Sequence, residues 1–169
     1  MKKYGGSRAW RPGLLASAAL LVAGCSSQGT LLPSAAELEG LYGEGAELRL
    51  NGNVVDVRVD QDPAQIRRGG TLWARVGPYI FLFSPQTEEL LQRFPDVAAV
   101  RVRTYVDGRL VASAMLLGDE LTSVTWREAV RRVAKARLEG TRNPAHLEDL
   151  VRYGEDHTRF EYAPRFREN

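Results

Sequence analysis

The chain has 169 residues, one cysteine, and 23 basic against 21 acidic side chains, for a formal net charge of +2. A lone cysteine excludes an intrachain disulfide framework, and the length suffices for one domain that folds by packing alone. The near balance of charge lacks the basic excess that marks nucleic-acid binders.

The first 24 residues carry Lys2, Lys3, Arg8 and Arg11, no acidic residue, and then an uncharged Leu- and Ala-rich run from Gly13 to Gly24. That run is shorter than the about 20 apolar residues a helix needs to cross a bilayer. A charged start, a short apolar run and a small-residue end describe a secretion signal. The run closes as Leu21-Val22-Ala23-Gly24-Cys25. This ending resembles the lipobox of bacterial lipoproteins, and the resemblance covers the signal alone. It implies cleavage before Cys25, with Val22, Ala23 and Gly24 as the lipobox residues, diacylglycerol on the Cys25 thiol, and acylation of the new amine. Two or three acyl chains hold a domain at a membrane where one holds it only marginally. Ser26 and Ser27 follow the cysteine, where many enterobacterial lipoproteins kept at the inner membrane carry aspartate. The expected address is therefore the outer membrane, facing the periplasm. Without the four basic residues of the signal, 19 basic side chains face 21 acidic ones, a net −2, and no nucleic-acid partner is expected.

Residues 25–45 read as the lipidated cysteine and a tether with one short helix. Ser34-Ala35-Ala36-Glu37 has the form of a capping box, and Leu38, Leu41 and Tyr42 share a side. Residues 46–169 read as a single α+β domain. Asn51-Gly52 predicts a tight turn within a hairpin over 46–60, with Leu48, Leu50, Val55 and Val57 on one face. Residues 62–70 read as a loop with at most a turn of helix. Thr71–Val76 and Tyr79–Phe83 read as a third and a fourth strand, interrupted by Gly77-Pro78. The second of these is apolar at every position, as in a strand covered on both sides. Tyr79, Phe81 and Phe83, with Trp73 nearby, then form an aromatic row expected in the core.

Ser84-Pro85 opens a helix, with Ser as N-cap and Pro at the first helical position. A second hairpin over 97–117 turns at Asp107-Gly108; simple counting pairs Thr104 with Val111 and Val102 with Ser113, leaving Arg101, Arg103 and Tyr105 on the other face. Thr125-Trp126-Arg127-Glu128 resembles another capping box, opening a helix that Gly140 stops. Asn143-Pro144 starts the last helix, which Gly154 is expected to end, and Phe160 and Tyr162 form a short strand or a packed tail. The expected architecture is a mostly antiparallel sheet of about six strands built from hairpins, backed by three helices, two of them C-terminal.

No catalytic set stands out, and no cofactor or metal is implied. His146 and His157 are the only histidines, and their spacing fits no ligand motif. Ser84 lacks the flanking glycines of a nucleophile elbow. Glu155, Asp156 and His157 form the densest polar cluster, but sequence neighbours point apart unless the fold recruits others to them. Arg127, Arg131 and Lys135 recur at four-residue spacing as a basic helical ridge, and Arg101 and Arg103 with Tyr105 make a second basic patch. These residue types suit an anionic partner. The expectation is a membrane-anchored envelope lipoprotein, held by acyl chains on Cys25. Its domain would bind a protein or envelope polymer in a structural or assembly role rather than catalyse. The alternative is a small periplasmic hydrolase or substrate-binding module using the Glu155-Asp156-His157 region.

Overall fold

Two tight turns organise the sheet. At the first, Gly52 takes a φ of 63°, and Asn51 pairs with Val54 across it. The two-residue loop is thus Gly52-Asn53, one position later than the sequence suggests, and the pairing shifts by two residues, with Leu50 opposite Val55 and Leu48 opposite Val57. Because side chains alternate with period two, this shift keeps the expected face intact. At the second turn Asp107 and Gly108 adopt φ values of 49° and 73°, the double left-handed geometry of a type I′ turn.

In the computed structural model, residues 31–39, 41–42 and 45–167 are described. Their order is α1 (Ala35–Leu38), β1 (Ala46–Asn51), β2 (Val54–Asp60), α2 (Pro63–Leu82), α3 (Pro85–Arg93), β3 (Ala99–Val106), β4 (Arg109–Leu117), α4 (Ser123–Glu139), α5 (Ala145–His157) and β5 (Arg159–Tyr162), then a 3-10 turn (Pro164–Phe166). The five strands form one sheet in the order β1-β2-β3-β4-β5. The fold is α+β, as expected, but with five strands in place of six. Its sheet is mixed: β2 and β3 are parallel, and the other three pairings are antiparallel. Strands adjacent in the sheet and joined by a helical crossover run parallel, and α2 with α3 is that crossover.

The third and fourth strands expected over 71–83 do not exist. They are the second part of α2, which begins near 63 where a loop was expected. Gly70 breaks that helix with φ 66° and ψ −155°, a conformation open to glycine. Beyond the break Trp73, Val76, Tyr79 and Phe83 are buried at helical spacing, and Tyr79 and Phe83 stack with ring centroids 6.0 Å apart. Phe81 is only partly buried at the core's rim. An unbroken apolar run suits a buried helix as well as a buried strand. Trp73, Tyr79 and Phe83 are core, as expected, but on a helix and its C-cap.

Smaller corrections follow the same logic. A register shift between Thr104 and Tyr105 pairs Thr104 with Ala112 and Val102 with Ala114, one residue beyond simple counting. The α4 N-cap is Thr122, whose side chain accepts from Thr125 N–H, so the helix starts a turn before the expected capping box. Helix α5 runs through Gly154 to His157. Five α-helices are described: the short tether helix and the three domain helices that were expected, and α2 in addition. The Ser34–Glu37 capping box is present, with both reciprocal bonds, and Leu38 behind it is buried in the core.

Val55, Val57 and Val59 of β2, Val100 and Val102 of β3, and Ala112, Ala114 and Leu116 of β4 point into one core with the helices. Helix α2 packs on that face against β3 and β4, α5 packs on α2, and α4 packs on α5. Among the described residues, no helix packs on the opposite face of the sheet.

Candidate functional site

Strand parity decides what the open face displays. With the valines inward, β2 turns Asp56, Arg58 and Asp60 outward, and β3 turns Arg101, Arg103 and Tyr105 outward. The parallel register places Asp56 beside Arg101, Arg58 beside Arg103, and Asp60 beside Tyr105. The antiparallel neighbours add Glu47 and Arg49 from β1, Ser113 and Met115 from β4, and Arg159 and Glu161 from β5. Two rows therefore cross all five strands: Arg49, Asp56, Arg101, Met115 and Arg159, and Glu47, Arg58, Arg103, Ser113 and Glu161.

At the centre, Arg101 and Arg103 share one carboxylate. Asp56 Oδ1 lies 3.5 Å from Arg101 Nη1 and 3.2 Å from Arg103 Nη2. Asp56 is 14% exposed, whereas Arg101 and Arg103 are 30% and 37% exposed. Two guanidiniums on one carboxylate leave a positive excess at this point, with donors still turned outward. Arg58 lies over the Tyr105 ring at 3.7 Å and pairs with Asp60 at 3.2 Å, its side chain 37% exposed, so its guanidinium is held against the ring and stays accessible. A groove of about 720 Å³ opens here between Glu47, Arg49, Asp56, Arg58, Arg103 and Tyr105.

The α4 ridge lies elsewhere. Arg127, Arg131 and Lys135 are exposed on the helical side of the domain, while Trp126, Ala129, Val133 and Ala136 point inward. The two basic patches thus sit on opposite sides of the sheet and do not adjoin. Between the ridge residues, Arg132 ties α4 to α5. It pairs with Glu128 at 2.5 Å and with Asp149 of α5 at 3.1 Å, over the Tyr153 ring. The bond from Arg132 holds the Glu128 carboxyl below the usual range.

Glu155, Asp156 and His157 diverge. Glu155 turns inward, where Arg75 Nη2 donates to its Oε1 at 2.6 Å and Tyr162 O–H donates to the same oxygen at 2.9 Å. Tyr79 OH lies 2.7 Å from Tyr162 OH, which completes a chain from α2 through β5 to α5. Burial, chiefly, pushes both tyrosines well above the ordinary phenol range. Burial works to lower the Arg75 pKa, but the bonds to Glu155 and Tyr162 hold it above its usual value. Asp156 is exposed. His157 packs on Tyr153 with ring centroids 4.4 Å apart, its Nδ1 3.6 Å from Glu120. These three residues serve three different neighbourhoods. Ser84 caps α3, its Oγ accepting from Thr87 N–H, and His146 sits 3.0 Å from Glu139.

Sequence reasoning found Arg101, Arg103 and Tyr105 by alternation but missed Asp56 and Arg58. Their charge and outward parity were visible; the parallel pairing that sets them beside Arg101 and Arg103 was not. Cys25 and the lipobox residues Val22, Ala23 and Gly24 lie outside the described residues. Among the described residues no helix is long and apolar enough to cross a membrane. No protein-family model, curated protein or solved structure matches the chain.

Proposed function

We propose that this chain is a lipid-anchored envelope protein that works by binding, with the open sheet face as its docking surface for an acidic segment of an envelope protein or polymer. One observation carries the docking surface: α2 packs with the inward valines of the sheet, and Arg101 and Arg103 turn outward from the other face with a single carboxylate between them. A planar donor pair held over strands is a rigid receptor for carboxylate or phosphate groups. The anchor rests on the signal and on Cys25.

Each half has its own test. Intact mass and membrane partition of the full chain expressed in a bacterium, beside Cys25→Ser, read the anchor: acyl mass and membrane retention are expected for the parent alone. For docking, a photocrosslinking residue placed at Ser113, on the open face, is compared with one at Leu138, which is 80% exposed on α4. Adducts are expected from position 113 and are expected to disappear when Arg101 and Arg103 are both changed to Glu. Equal adducts from position 138, or adducts indifferent to the arginines, would refute the docking surface.

A further inference from the structure

The sheet has two edges, β1 and β5, and they are finished differently. Strand β5 has four residues and runs into Pro164, and Arg167 Nε donates to the Tyr162 carbonyl at 3.0 Å. Strand β1 has six residues, with no proline, lysine or bulge, three of the devices that discourage a strand edge from pairing; its two charges, Glu47 and Arg49, are of opposite sign, and α1 packs beside it. Among the described residues, no backbone hydrogen bond from outside the sheet reaches β1.

The hairpin fixes which groups that edge offers. Asn51 and Val54 close a two-residue loop and therefore exchange the turn's hydrogen bond. By alternation, Asn51, Arg49 and Glu47 direct their N–H and C=O groups toward β2. Ala46, Leu48 and Leu50 direct theirs toward the free edge. A groove of about 470 Å³ opens beside it, between Ala46–Arg49 and the α1 residues Ala35, Ala36 and Glu39.

The strand reads Ala46-Glu47-Leu48-Arg49-Leu50-Asn51, and it is its own complement. We propose that two copies of this chain pair β1 to β1, antiparallel about a two-fold axis at Leu48, joining two five-stranded sheets into one of ten strands. In that register Leu48 faces Leu48, and Ala46 faces Leu50 in both directions, so every outward backbone group of these three residues meets its partner. Glu47 of each copy lies directly opposite Arg49 of the other, twice per interface, on the open face. On the helical face, Leu50, 36% exposed in the single chain, gains an apolar neighbour. Centring the axis on Leu50 would set Arg49 against Asn51 and lose the charge match. Centring it on Ala46 would run most of the strand past its partner. A two-fold axis makes such an interface isologous, so one self-complementary strand suffices.

The test uses the full chain in bacterial membranes under mild oxidation. Leu48→Cys places two sulfurs on the axis, where paired Cα atoms lie about 5.5 Å apart, within disulfide range. A disulfide dimer is expected from this variant, and not from the parent, which holds only Cys25, or from Leu50→Cys, whose two copies would stand four residues out of register. The second measurement leaves the strand's apolar side untouched. Glu47→Arg sets arginine against Arg49 twice and is expected to weaken pairing roughly tenfold; adding Arg49→Glu recreates opposite charges across the axis and is expected to restore it. A Leu48→Cys chain that crosslinks no more than the parent or Leu50→Cys overturns the dimer and leaves the edge to an extended segment of another protein. Charge reversal without rescue overturns the register.

Discussion

Gly154 is a helix-interior residue for a reason that a substitution can expose. A Cβ built on it would lie 2.4–2.6 Å from Cδ1, Cε1 and Cγ of the Tyr79 ring, about 1 Å short of ordinary contact. Tyr79 has little room to retreat. It is fully buried, stacked on Phe83, and hydrogen-bonded through its hydroxyl to Tyr162 at 2.7 Å. Two effects compete in Gly154→Ala. Alanine favours an exposed helix interior over glycine by about 1 kcal/mol. Forcing a methyl into a packed core costs about 1–3 kcal/mol. The pinned ring places this site at the upper end, so the expected net loss is about 2 kcal/mol, or a fall in Tm of about 8 °C for a domain of this size. Urea unfolding followed by far-UV circular dichroism gives the free energy, and a thermal scan gives the midpoint. In a Tyr79→Leu background the clash is gone, and the same Gly154→Ala change should become neutral or stabilising. An unchanged or raised stability of Gly154→Ala in the parent chain would refute the packing argument.

The start of α4 offers a second test. Thr122→Ala should cost about 1 kcal/mol, because it removes the acceptor for Thr125 N–H, and Thr125→Ala should cost less; the reverse ranking in urea midpoints would put the cap back at Thr125. The third concerns alkaline pH. Burial pushes Tyr42 up to about 12, partly offset by its bond to Thr87, while the unfolded chain's tyrosine titrates near 10. A group whose folded pKa is raised contributes stability that is whole below the unfolded value and lost as pH climbs to the folded one. Urea midpoints should therefore fall as pH rises above about 10, and Tyr42→Phe should shallow that decline. The buried Tyr79 and Tyr162 keep it from vanishing. An identical decline in Tyr42→Phe would sink the assignment.

What the sequence disclosed was local. Turns at Gly52 and Gly108, caps at Ser34 and Ser84, and the outward alternation of Arg101, Arg103 and Tyr105 each depend on residues within a few positions of one another. What it concealed depends on distant neighbours. The run Tyr79–Phe83 satisfies a buried strand and a buried helix equally, and the tertiary packing of Tyr79 on Phe83 and Gly154 decides for the helix. The same contact explains the misread glycine, whose missing side chain makes room for a ring 75 positions earlier. Glu155 looked like part of a three-residue cluster because its true partner, Arg75, lies 80 residues away. Asp56 joined the candidate site only once α2 became a crossover helix, since that crossover is what lays β2 parallel to β3.

The docking face and the β1 edge are separate proposals, yet they bear on each other through geometry. Pairing about Leu48 continues the open face of one sheet into that of the next, with the Glu47–Arg49 pairs neutralising the seam between them. Counting strand steps from β3 through β2 and β1 to the mates in the second copy, the two Arg101–Arg103 centres would stand about 24 Å apart, at about 4.8 Å per step. A partner bearing one acidic group would gain nothing from the second centre. A partner bearing repeated acidic groups, such as an envelope polymer, would meet its second contact at high effective concentration, and its affinity would rise without any new contact in either copy. A repeating polymer therefore draws more from the pair of sites than a single acidic protein segment does. On that geometry, dimerisation at the β1 edge would select among the partners that the arginines alone admit.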